Sequence, residues 1–328
     1  GLYTSPHLKD FRERIRINGK PVSKTYVMDF MAAHRPFIMD HNFSFFEMTV
    51  GMAFDYFAKE EVDIAVIEVG LGGRLDSTNI ITPEVSLITN IGFDHMDILG
   101  DTLDKIAAEK AGIIKQNIPV VVSEYQADIA WVFEEKANEK STELTFASQQ
   151  ELPAYATSLM GNYQEKNIKG VLLTLDKLKK FRVTSTHIKN GLQNVSGNTG
   201  LQGRWQVLGE NPKIICDTAH NQEGLSLVIA QLLKESYKTL HLVLGFVKEK
   251  DLDAILPLFP KNAIYYFCRP NIPRGLDAEV LRAKAKEYHL CGEVYSSVRE
   301  AYAAVNQQAS DADLIFIGGS NFTVAEVL

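Results

Sequence analysis

Short apolar runs alternate with longer amphipathic stretches from residue 63 to the end of the chain. Three of these runs, Asp63 to Val69, Val85 to Ile91 and Ile118 to Ser123, are rich in valine and isoleucine at both odd and even positions. Because a strand buried on both faces needs apolar side chains at every position, these runs predict central strands of a parallel sheet. Strands that alternate with helices in this way are typical of an α/β fold.

Four helices are predicted in the first half of the chain, because apolar residues recur there at helical spacing. They span residues 44–59, 102–114, 128–140 and 163–181. The second of them begins at Thr102, a residue type that favours the N-cap, and ends near Gly112. The first carries Phe45 among the residues of its apolar face.

A segment rich in glycine, asparagine, serine and glutamine, residues 190–203, separates two periodic halves. Such composition is typical of turns and linkers, so we predict two domains, residues 1–198 and 199–328. Strands near residues 213–217, 240–246, 263–268 and 314–318, with helices after the first three, indicate a second, smaller α/β domain. The predicted architecture is two doubly wound α/β domains.

Composition narrows the class of protein. A length of 328 residues suits about two domains. The chain has 34 Lys and Arg residues and 41 Asp and Glu residues, which gives a net charge of −7. This charge argues against a broad surface that binds nucleic acid or an anionic membrane.

The three cysteines, Cys216, Cys268 and Cys291, form no C-x-x-C pair, which favours a reducing cytoplasm. No apolar run reaches the length of a transmembrane helix.

Polar residues follow two of the predicted strands in the first half. Glu68 ends one strand and His95 follows the next, so both would lie at the carboxyl edge of the sheet, where α/β proteins bind ligands. The two side chains could share a divalent ion, although histidine is an unusual ligand for Mg²⁺. The alternative is a surface acid and an exposed loop histidine.

Lys110 falls on the apolar face of the helix predicted over residues 102–114. It either extends its amine to solvent or has a function. Burial would lower the pKa of the amine and make its neutral form reactive, for example toward carbon dioxide.

In the second half, Asp217 and His220 lie at the end of a predicted strand and Arg204 lies just before it. Arginine suits an anion, but an N-cap and a surface charge explain these residues equally well. The glycines of residues 70–76 do not match a dinucleotide fingerprint, and they indicate either close approach to a ligand or a tight turn. The chain has no G-x-x-x-x-G-K-[ST], G-x-S-x-G or H-E-x-x-H motif.

Ordered strings across nearly the whole chain resemble the folylpolyglutamate synthase and dihydrofolate synthase family, a branch of the Mur ligase superfamily of ATP-dependent amide-forming enzymes. The strings are Thr4-Ser5-Pro6-His7-Leu8, Arg12-Glu13-Arg14-Ile15, Phe45-Phe46-Glu47, residues 68–79 (EVGLGGRLDSTN), Asp94-His95, Leu99-Gly100, Glu109-Lys110-Ala111-Gly112-Ile113, Gln164 with Asn167, Gly203-Arg204-Trp205, Asp217 to Asn221, Lys250-Asp251 and Gly319-Ser320. The resemblance implies a P-loop-type central domain followed by a Rossmann-like C-terminal domain.

The resemblance also implies roles for residues of this chain. Glu68 and His95 would hold magnesium with Ser5 nearby, and Lys110 would be carbamylated to support a second magnesium. The residues expected to contact ATP are Asn167, Arg204 and Asp217. Those expected to bind substrates are Phe45, Phe46 and Asp76 for the pterin, and His220 and Ser320 for glutamate. The candidate catalytic residues are Lys110, Arg204 and His220. Tyr163 stands where the family usually has histidine.

The implied reaction has two steps. A carboxylate of dihydropteroate or of a folate polyglutamate attacks the γ-phosphate of ATP, and the amine of L-glutamate then displaces phosphate from the acyl phosphate. The expected cofactors are ATP and two magnesium ions, and the expected protein is a cytoplasmic monomer. Whether it makes dihydrofolate, extends polyglutamate or does both stays open.

Family members carry a first strand and a P-loop ahead of the Ser-Pro-His-Leu segment, and this sequence begins after both. We therefore expect a fragment of a longer protein, which alone would bind ATP weakly and turn over little. The alternatives are a peptidoglycan-type Mur ligase, which the strings around Ser5 and Arg74 disfavour, and an inactive folate-binding protein. A nicotinamide dehydrogenase is disfavoured because the fingerprint is missing.

Overall fold

The structure is a computed structural model that describes all 328 residues of the chain. Its packing divides into two compact units. The first unit contains residues 1–158 and 165–200, and the second contains residues 159–164 and 201–328. Both units contain parallel strands and helices, which confirms the predicted α/β class with two domains. The short segment 159–164 belongs to the second unit although the sequence places it in the middle of the first.

Seven short strands form two separate sheets in the first unit. They are β1 (Leu2–Tyr3), β2 (Ile15–Ile17), β3 (Lys20–Pro21), β4 (Val66–Ile67), β5 (Ser86–Ile88), β6 (Val120–Val122) and β7 (Leu144–Phe146). One sheet has the order β3-β2-β1-β4, in which β1 is parallel to β4 and antiparallel to β2. The other sheet is parallel and has the order β5-β6-β7.

Eight helices lie between residues 24 and 199. They are α1 (Lys24–Asp40), α2 (Phe45–Lys59), α3 (Met96–Leu99), α4 (Leu103–Ala111), α5 (Ala130–Glu139), α6 (Gln164–Asp176), α7 (Ser185–Gln193) and α8 (Val195–Thr199). The four predicted helices correspond to α2, α4, α5 and α6. Helix α6 is shorter than predicted, because it ends at Asp176 rather than near residue 181.

Local side-chain chemistry fixes where α2 begins. The Ser44 hydroxyl accepts a hydrogen bond from the Glu47 N–H at 3.2 Å, and the Glu47 carboxylate accepts one from the Ser44 N–H at 2.7 Å. This capping box satisfies two backbone donors that the first turn leaves free. The buried face of α2 contains Val50 and Met52, whereas Phe45, which was predicted to share that face, is 53% exposed.

Two of the three strands predicted to be central and buried are edge strands. The run Asp63 to Val69 forms only the two-residue β4, which pairs with β1 on one side, and Val66 is 60% exposed. The run Val85 to Ile91 forms β5, which pairs only with β6. The predicted central position is wrong for both runs, because apolar composition does not reveal how many neighbours a strand has, whereas the predicted burial holds for Ser86 and Ile88 of β5. The third run forms β6, which lies between β5 and β7 and is fully buried, as predicted.

A six-stranded sheet forms the second unit, in the order β12-β11-β10-β13-β9-β8. Its strands are β8 (Gln206–Glu210), β9 (Lys213–Cys216), β10 (Leu240–Leu244), β11 (Ile264–Cys268), β12 (Gly292–Tyr295) and β13 (Leu314–Gly318). Its helices are α9 (Gln222–Leu232), α10 (Leu252–Ile255), α11 (Ala278–Glu287), α12 (Val298–Gln308) and α13 (Asn321–Ala325). All neighbouring strands are parallel except the edge pair β8 and β9. The four predicted strands are confirmed, and β8 and β12 were not predicted.

Alternating side chains of the central strands fill two cores in the second unit, one on each face of the sheet. Leu314 and Phe316 of β13 pack into one core with residues of α9 and α11. Ile315 and Ile317 pack into the other with residues of α12. This arrangement explains the unbroken apolar runs of the sequence and confirms that the sheet is covered on both faces.

The strand order of the second unit reverses where β13 lies between β9 and β10. In an open parallel sheet, ligands bind outside the carboxyl ends of the strands at such a switch point. The loops that follow β9, β10 and β13 are therefore the part of this unit where a ligand is expected. Among the helices of the whole chain, none combines the length and the apolar composition that crossing a bilayer requires.

The tight contact between the loop before residue 77 and the end of α4 generates a test of packing. A Cβ atom added at Gly112 would lie 2.4 Å from the Arg74 Cα atom, whereas one added at Gly51, in the middle of α2, would meet no atom within 4 Å. Gly112→Ala should lower the free energy of unfolding by about 1–3 kcal/mol, because the backbones must separate. Gly51→Ala, the control, should raise it by up to about 1 kcal/mol, because alanine favours a helix. Urea denaturation measures both, and equal effects would contradict the packing.

Candidate functional site

The carboxyl ends of β1 and β4 bring Ser5 and Glu68 together. The two strands are parallel neighbours, so the residues that follow them leave the sheet at the same edge. The Ser5 N–H donates a hydrogen bond to Glu68 Oε2 at 2.8 Å, and the Glu68 side chain is exposed. A carboxylate that is fixed by a backbone donor and open to solvent can accept a cation or a donor from a ligand.

Asp94, His95 and Lys110 form a second polar group in the first unit. His95 Nε2 lies 3.9 Å from Asp94 Oδ1, and the His95 backbone has a φ of +51° just before α3. Lys110, near the end of α4, is half-buried. Burial lowers the pKa of the Lys110 amine, and the negative charge of Asp94 opposes this shift. Both observations support a lysine that is more than a solvated surface cation.

The glycine-rich loop of residues 70–76 holds the end of α4 in place. The Arg74 N–H donates to the Glu109 carbonyl at 2.8 Å, and the Arg74 guanidinium pairs with the Glu109 carboxylate at 2.8 Å. A Cβ at Gly73 would lie 2.9 Å from the same carbonyl. The glycines therefore allow close approach to α4, and this contact fixes the position of Lys110, the next residue.

Asp76 organises the same loop. Its Oδ2 atom accepts hydrogen bonds from the N–H groups of Gly70 and Leu71 at 3.0 and 2.9 Å, and its Oδ1 atom accepts from the Thr78 N–H at 2.9 Å. Because both oxygens have protein donors, the structure gives Asp76 a role in holding the loop. Its predicted contact with a pterin stays a prediction.

Phe45 and Phe46 at the start of α2 lie in different surroundings. The exposed Phe45 ring lies 5.6 Å from the Phe11 ring, and the Arg14 guanidinium carbon lies 5.2 Å from the Phe45 ring centre. Phe46 packs against Gly70, where an added Cβ would lie 2.3 Å from its ring. Arg14 is only 9% exposed, so the part of this group that is open to a ligand is the Phe45 ring, which suits a planar aromatic ligand.

No group of three or more His, Cys, Asp and Glu side chains in the chain is arranged to hold a metal ion. Magnesium bound with a nucleotide usually takes one or two carboxylates and completes its shell with phosphate oxygens and water. The exposed carboxylate of Glu68 is suited to be one of these one or two protein ligands.

Asp217 is the centre of the polar group in the second unit. It is 2% exposed and follows β9. Its Oδ2 atom accepts from the Tyr163 hydroxyl at 2.8 Å and from the Trp205 N–H at 2.6 Å, and its Oδ1 atom accepts from the Ala219 N–H at 2.8 Å. Burial raises the pKa of Asp217, while these three donors and the positive charge of Arg204 oppose that shift. The carboxylate therefore ties three separate segments of the second unit together.

Arg204 and His220 lie beside this carboxylate. The Arg204 side chain is exposed and donates to the Thr218 hydroxyl, and the Thr218 N–H donates to the Gly203 carbonyl at 2.9 Å. His220 Nδ1 lies 3.0 Å from the Thr218 carbonyl oxygen, and this contact orients the ring. The structure thus brings three of the predicted residues, Arg204, Asp217 and His220, to the same end of the sheet.

Ser320 follows β13 at the same edge of the sheet. Its hydroxyl lies 2.8 Å from the Thr323 hydroxyl, which donates to the Gly245 carbonyl at 2.7 Å. Ser320 is 3% exposed, so its side chain caps α13 and fixes the tip of β13 against the tip of β10. Asn167, the remaining predicted nucleotide residue, lies on α6 in the first unit and is half-buried.

Sequence reasoning missed the partner of Tyr163. Tyr163 stands where the family that the sequence resembles usually has histidine, and this departure is visible in the sequence. No local pattern, however, connects Tyr163 with Asp217, which lies 54 positions further along the chain.

Sequence reasoning also missed the cluster of Arg14, His7 and Phe11, in which the Arg14 Nε–H donates to His7 Nδ1 at 2.9 Å. Burial and the charge of Arg14 lower the pKa of His7, which favours the neutral ring that accepts this bond.

The buried bond from Tyr163 to Asp217 generates a test. Tyr163→Phe removes one donor from a buried carboxylate, so the free energy of unfolding of the second unit should fall by about 1–3 kcal/mol. Urea denaturation followed by Trp205 fluorescence, in a Trp131→Phe background, measures the change. Tyr302→Phe is the matched control, because no hydrogen bond of the Tyr302 hydroxyl is found. A loss no larger than that of the control would show that the Tyr163 hydroxyl is dispensable.

The sequence of the chain matches known protein families and known proteins. The Mur ligase middle domain family matches residues 40–196, and the Mur ligase glutamate ligase domain family matches residues 203–321. A folylpolyglutamate synthase of Lacticaseibacillus casei is 30% identical over 97% of this chain and 80% of its own length. A probable bifunctional folylpolyglutamate synthase/dihydropteroate synthase of Haloferax volcanii is 29% identical over 99% of this chain, which spans only 42% of that relative.

A solved structure gives the same relationship in three dimensions. The bifunctional folylpolyglutamate synthase/dihydrofolate synthase of Yersinia pestis, complexed with AMPPNP and a manganese ion, superimposes with a TM-score of 0.86. Its sequence is 28% identical, and the match covers 99% of this chain and 80% of that one. The chain belongs to the folylpolyglutamate synthase/dihydrofolate synthase family of Mur ligases.

Proposed function

We propose that the protein is an ATP-dependent ligase that adds L-glutamate to dihydropteroate, to a folate polyglutamate, or to both, in the cytoplasm. The observation that carries the proposal is the exposed Glu68 carboxylate, which the Ser5 N–H fixes at the carboxyl ends of two parallel strands. That is the position at which a carboxylate holds the metal of a nucleotide in related α/β folds. The family of the chain supports the reaction class.

The proposed reaction begins with attack of a substrate carboxylate oxygen on the γ-phosphorus of ATP. The bond between this phosphorus and the β,γ-bridging oxygen breaks, which gives an acyl phosphate and ADP. The amine of L-glutamate then attacks the acyl carbon, phosphate leaves, and the amine loses a proton as the amide forms. Magnesium supplies charge neutralisation at the transferred phosphoryl group when it is bound.

In the first unit, Glu68 would hold magnesium and His95 would supply a second donor, with Ser5 fixing the carboxylate. Asp94 lies beside His95 and near Lys110. Because burial favours the neutral amine of Lys110, the lysine is suited to react with carbon dioxide and to become a carbamate, which would support the second magnesium. The loop of residues 70–76 contributes by holding the end of α4.

In the second unit, Arg204 would contact the nucleotide phosphates, because its exposed guanidinium provides a planar set of donors. Asp217, whose oxygens are occupied by protein donors, would hold Arg204 and Trp205 in place beside the nucleotide. His220, whose ring the Thr218 carbonyl orients, would act near the incoming amine. For Asn167 of α6, which belongs to the first unit, the contact with ATP stays a prediction.

The pterin end of the substrate would bind at the start of α2. The exposed ring of Phe45 offers a surface for a planar heterocycle, and the buried Arg14 guanidinium packs against this ring. Phe46, packed on Gly70, would place the substrate carboxylate on the side of Glu68. Phe45 and Phe46 begin α2, and Arg14 ends the short 3-10 helix of residues 11–14 that directly precedes β2.

Replacement of Glu68 tests the proposed function. The protein produced from its complete reading frame is assayed with dihydropteroate or tetrahydrofolate, ATP, magnesium and L-glutamate, and the release of ADP and the amide product are measured. Glu68→Gln should reduce turnover by about 100-fold or more, because the neutral amide is a poor magnesium ligand. Glu60→Gln, at the exposed end of α2, should leave turnover unchanged.

Substrate replacement separates the alternatives. Turnover with a UDP-linked sugar peptide instead of the pteridine substrates would indicate a peptidoglycan-type ligase. Stabilisation by dihydropteroate in a thermal-shift assay, without any glutamate-dependent ADP release, would indicate a folate-binding protein without catalysis. Turnover that is equal in the Glu68→Gln and Glu60→Gln variants would remove the observation on which the proposal rests.

A further inference from the structure

The segment of residues 159–164 belongs to the second unit, although the residues on both sides of it belong to the first. Residues 159–163 form neither a helix nor a strand, so no regular pattern of hydrogen bonds holds them in place. Backbone of this kind keeps a fixed position through hydrogen bonds and packing to its surroundings. The contacts of the segment therefore decide where Tyr163 lies.

The Gln231 side chain supplies two of these contacts. Gln231 lies near the end of α9 and is 9% exposed. Its Oε1 atom accepts a hydrogen bond from the Asn162 N–H at 2.7 Å, and its Nε2 atom donates one to the Met160 carbonyl at 2.9 Å. One buried amide thus satisfies a backbone donor and a backbone acceptor of the segment. Because the two bonds lie on either side of Gly161, they fix the backbone directly before Tyr163.

Gly161 and Tyr163 close the segment into a turn. The Gln164 N–H donates to the Gly161 carbonyl at 2.9 Å. The Tyr163 ring packs on Gly161 so closely that an added Cβ would lie 2.5 Å from it, and the ring also packs against the core of the second unit. Gln231 and Gly161 together therefore determine one position for the Tyr163 ring.

The Tyr163 hydroxyl reaches the carboxylate of Asp217. It donates to Asp217 Oδ2 at 2.8 Å, and the same oxygen accepts from the Trp205 N–H at 2.6 Å. Asp217 Oδ1 accepts instead from the Ala219 N–H at 2.8 Å. The oxygen that Tyr163 contacts is thus the one that holds the backbone next to Arg204. A displaced Tyr163 would first affect Arg204.

We infer that Gln231 is a positioning residue for the binding of ATP. By fixing residues 160–162, it places the Tyr163 hydroxyl on Asp217. The carboxylate, held in this way, keeps the backbone of Arg204 in position for its contact with ATP. Gln231 acts only through Tyr163, because both polar atoms of its amide are bonded to the segment.

The inference rests on the proposed function, which supplies ATP as the ligand of Arg204. It adds a residue of α9 that belongs to none of the strings by which the sequence resembles its family and to none of the predicted site residues. Nothing in the sequence around Gln231 indicates this role, since its partners lie 69 and 71 positions earlier in the chain.

The test separates nucleotide binding from folding, on the protein produced from its complete reading frame. Gln231→Met keeps the length of the side chain and removes both hydrogen bonds, and Gly161→Ala displaces the Tyr163 ring without a change on α9. Gln307→Met, the same replacement at an exposed position of α12, is the matched control. Calorimetry gives the Kd of ADP, and the ligase assay gives kcat and the KM values for ATP and L-glutamate. Urea denaturation shows that each variant is folded under the conditions of the assay.

Gln231→Met should raise the Kd of ADP and the KM for ATP by about 3- to 10-fold, because the hydrogen bonds that fix the segment are lost. The KM for L-glutamate should change by less than about 2-fold, because Asp217 Oδ1, which holds the backbone before His220, keeps its own donor. Gly161→Ala should show the same difference between ATP and glutamate. Gln307→Met should match the unmodified protein in every measurement.

A double-mutant cycle tests whether Gln231 acts through Tyr163. Tyr163→Phe alone should raise the Kd of ADP at least as much as Gln231→Met does. In the Tyr163→Phe background, Gln231→Met should raise the Kd by less than about 2-fold more, because the hydroxyl through which it acts is missing. An increase of the same size in both backgrounds would overturn the inference and leave Gln231 with a structural role alone.

The outcomes distinguish this inference from the proposed function. An unchanged Kd of ADP in Gln231→Met, together with glutamate-dependent turnover, would overturn the role of Gln231 and leave the ligase function standing. A loss of ADP affinity that depends on Tyr163, in a protein without turnover, would support the positioning role and contradict the ligase. An unmodified protein that does not bind ADP would contradict both.

Discussion

Parallel pairing of short strands decides where the chemistry of this protein lies. Parallel neighbours end at the same edge of a sheet, so residues that follow different strands meet there regardless of their distance along the chain. Ser5 and Glu68 are 63 positions apart, yet a hydrogen bond of 2.8 Å joins them because β1 and β4 run side by side. The same constraint brings the tips of β9, β10 and β13 together in the second unit.

The polar residues at these edges are held by the protein itself before any ligand binds. Asp217 in the second unit and Asp76 in the first each accept hydrogen bonds on both carboxylate oxygens. An unsatisfied buried carboxylate would be costly, so these donors are a condition of burying Asp217, and they hold the half-buried Asp76 in place. Exposed neighbours such as Arg204 are therefore attached to backbone that these hydrogen bonds already hold in place, which helps to position them for a ligand.

Glycine contributes to the first unit through close packing. Gly73 and Gly112 allow the loop before residue 77 to touch the end of α4, and this contact places Lys110. The sequence pattern alone left two explanations for the glycines, close approach to a ligand or a tight turn. The structure adds a third, close approach to a helix, which only the fold can reveal because the two segments are more than thirty residues apart.

The sequence by itself determined the α/β class, the helices that became α2, α4 and α5, and the four apolar strands of the second unit, because periodicity and capping act over a few residues. It also identified the polar residues that end the strands. It did not determine which strands lie at an edge, as the exposed Val66 shows. Only the tertiary structure joined Tyr163 to Asp217 and Gln231 to residues 160–162, because such contacts depend on how distant segments pack, and that packing leaves no trace in the local pattern of hydrophobic and polar positions.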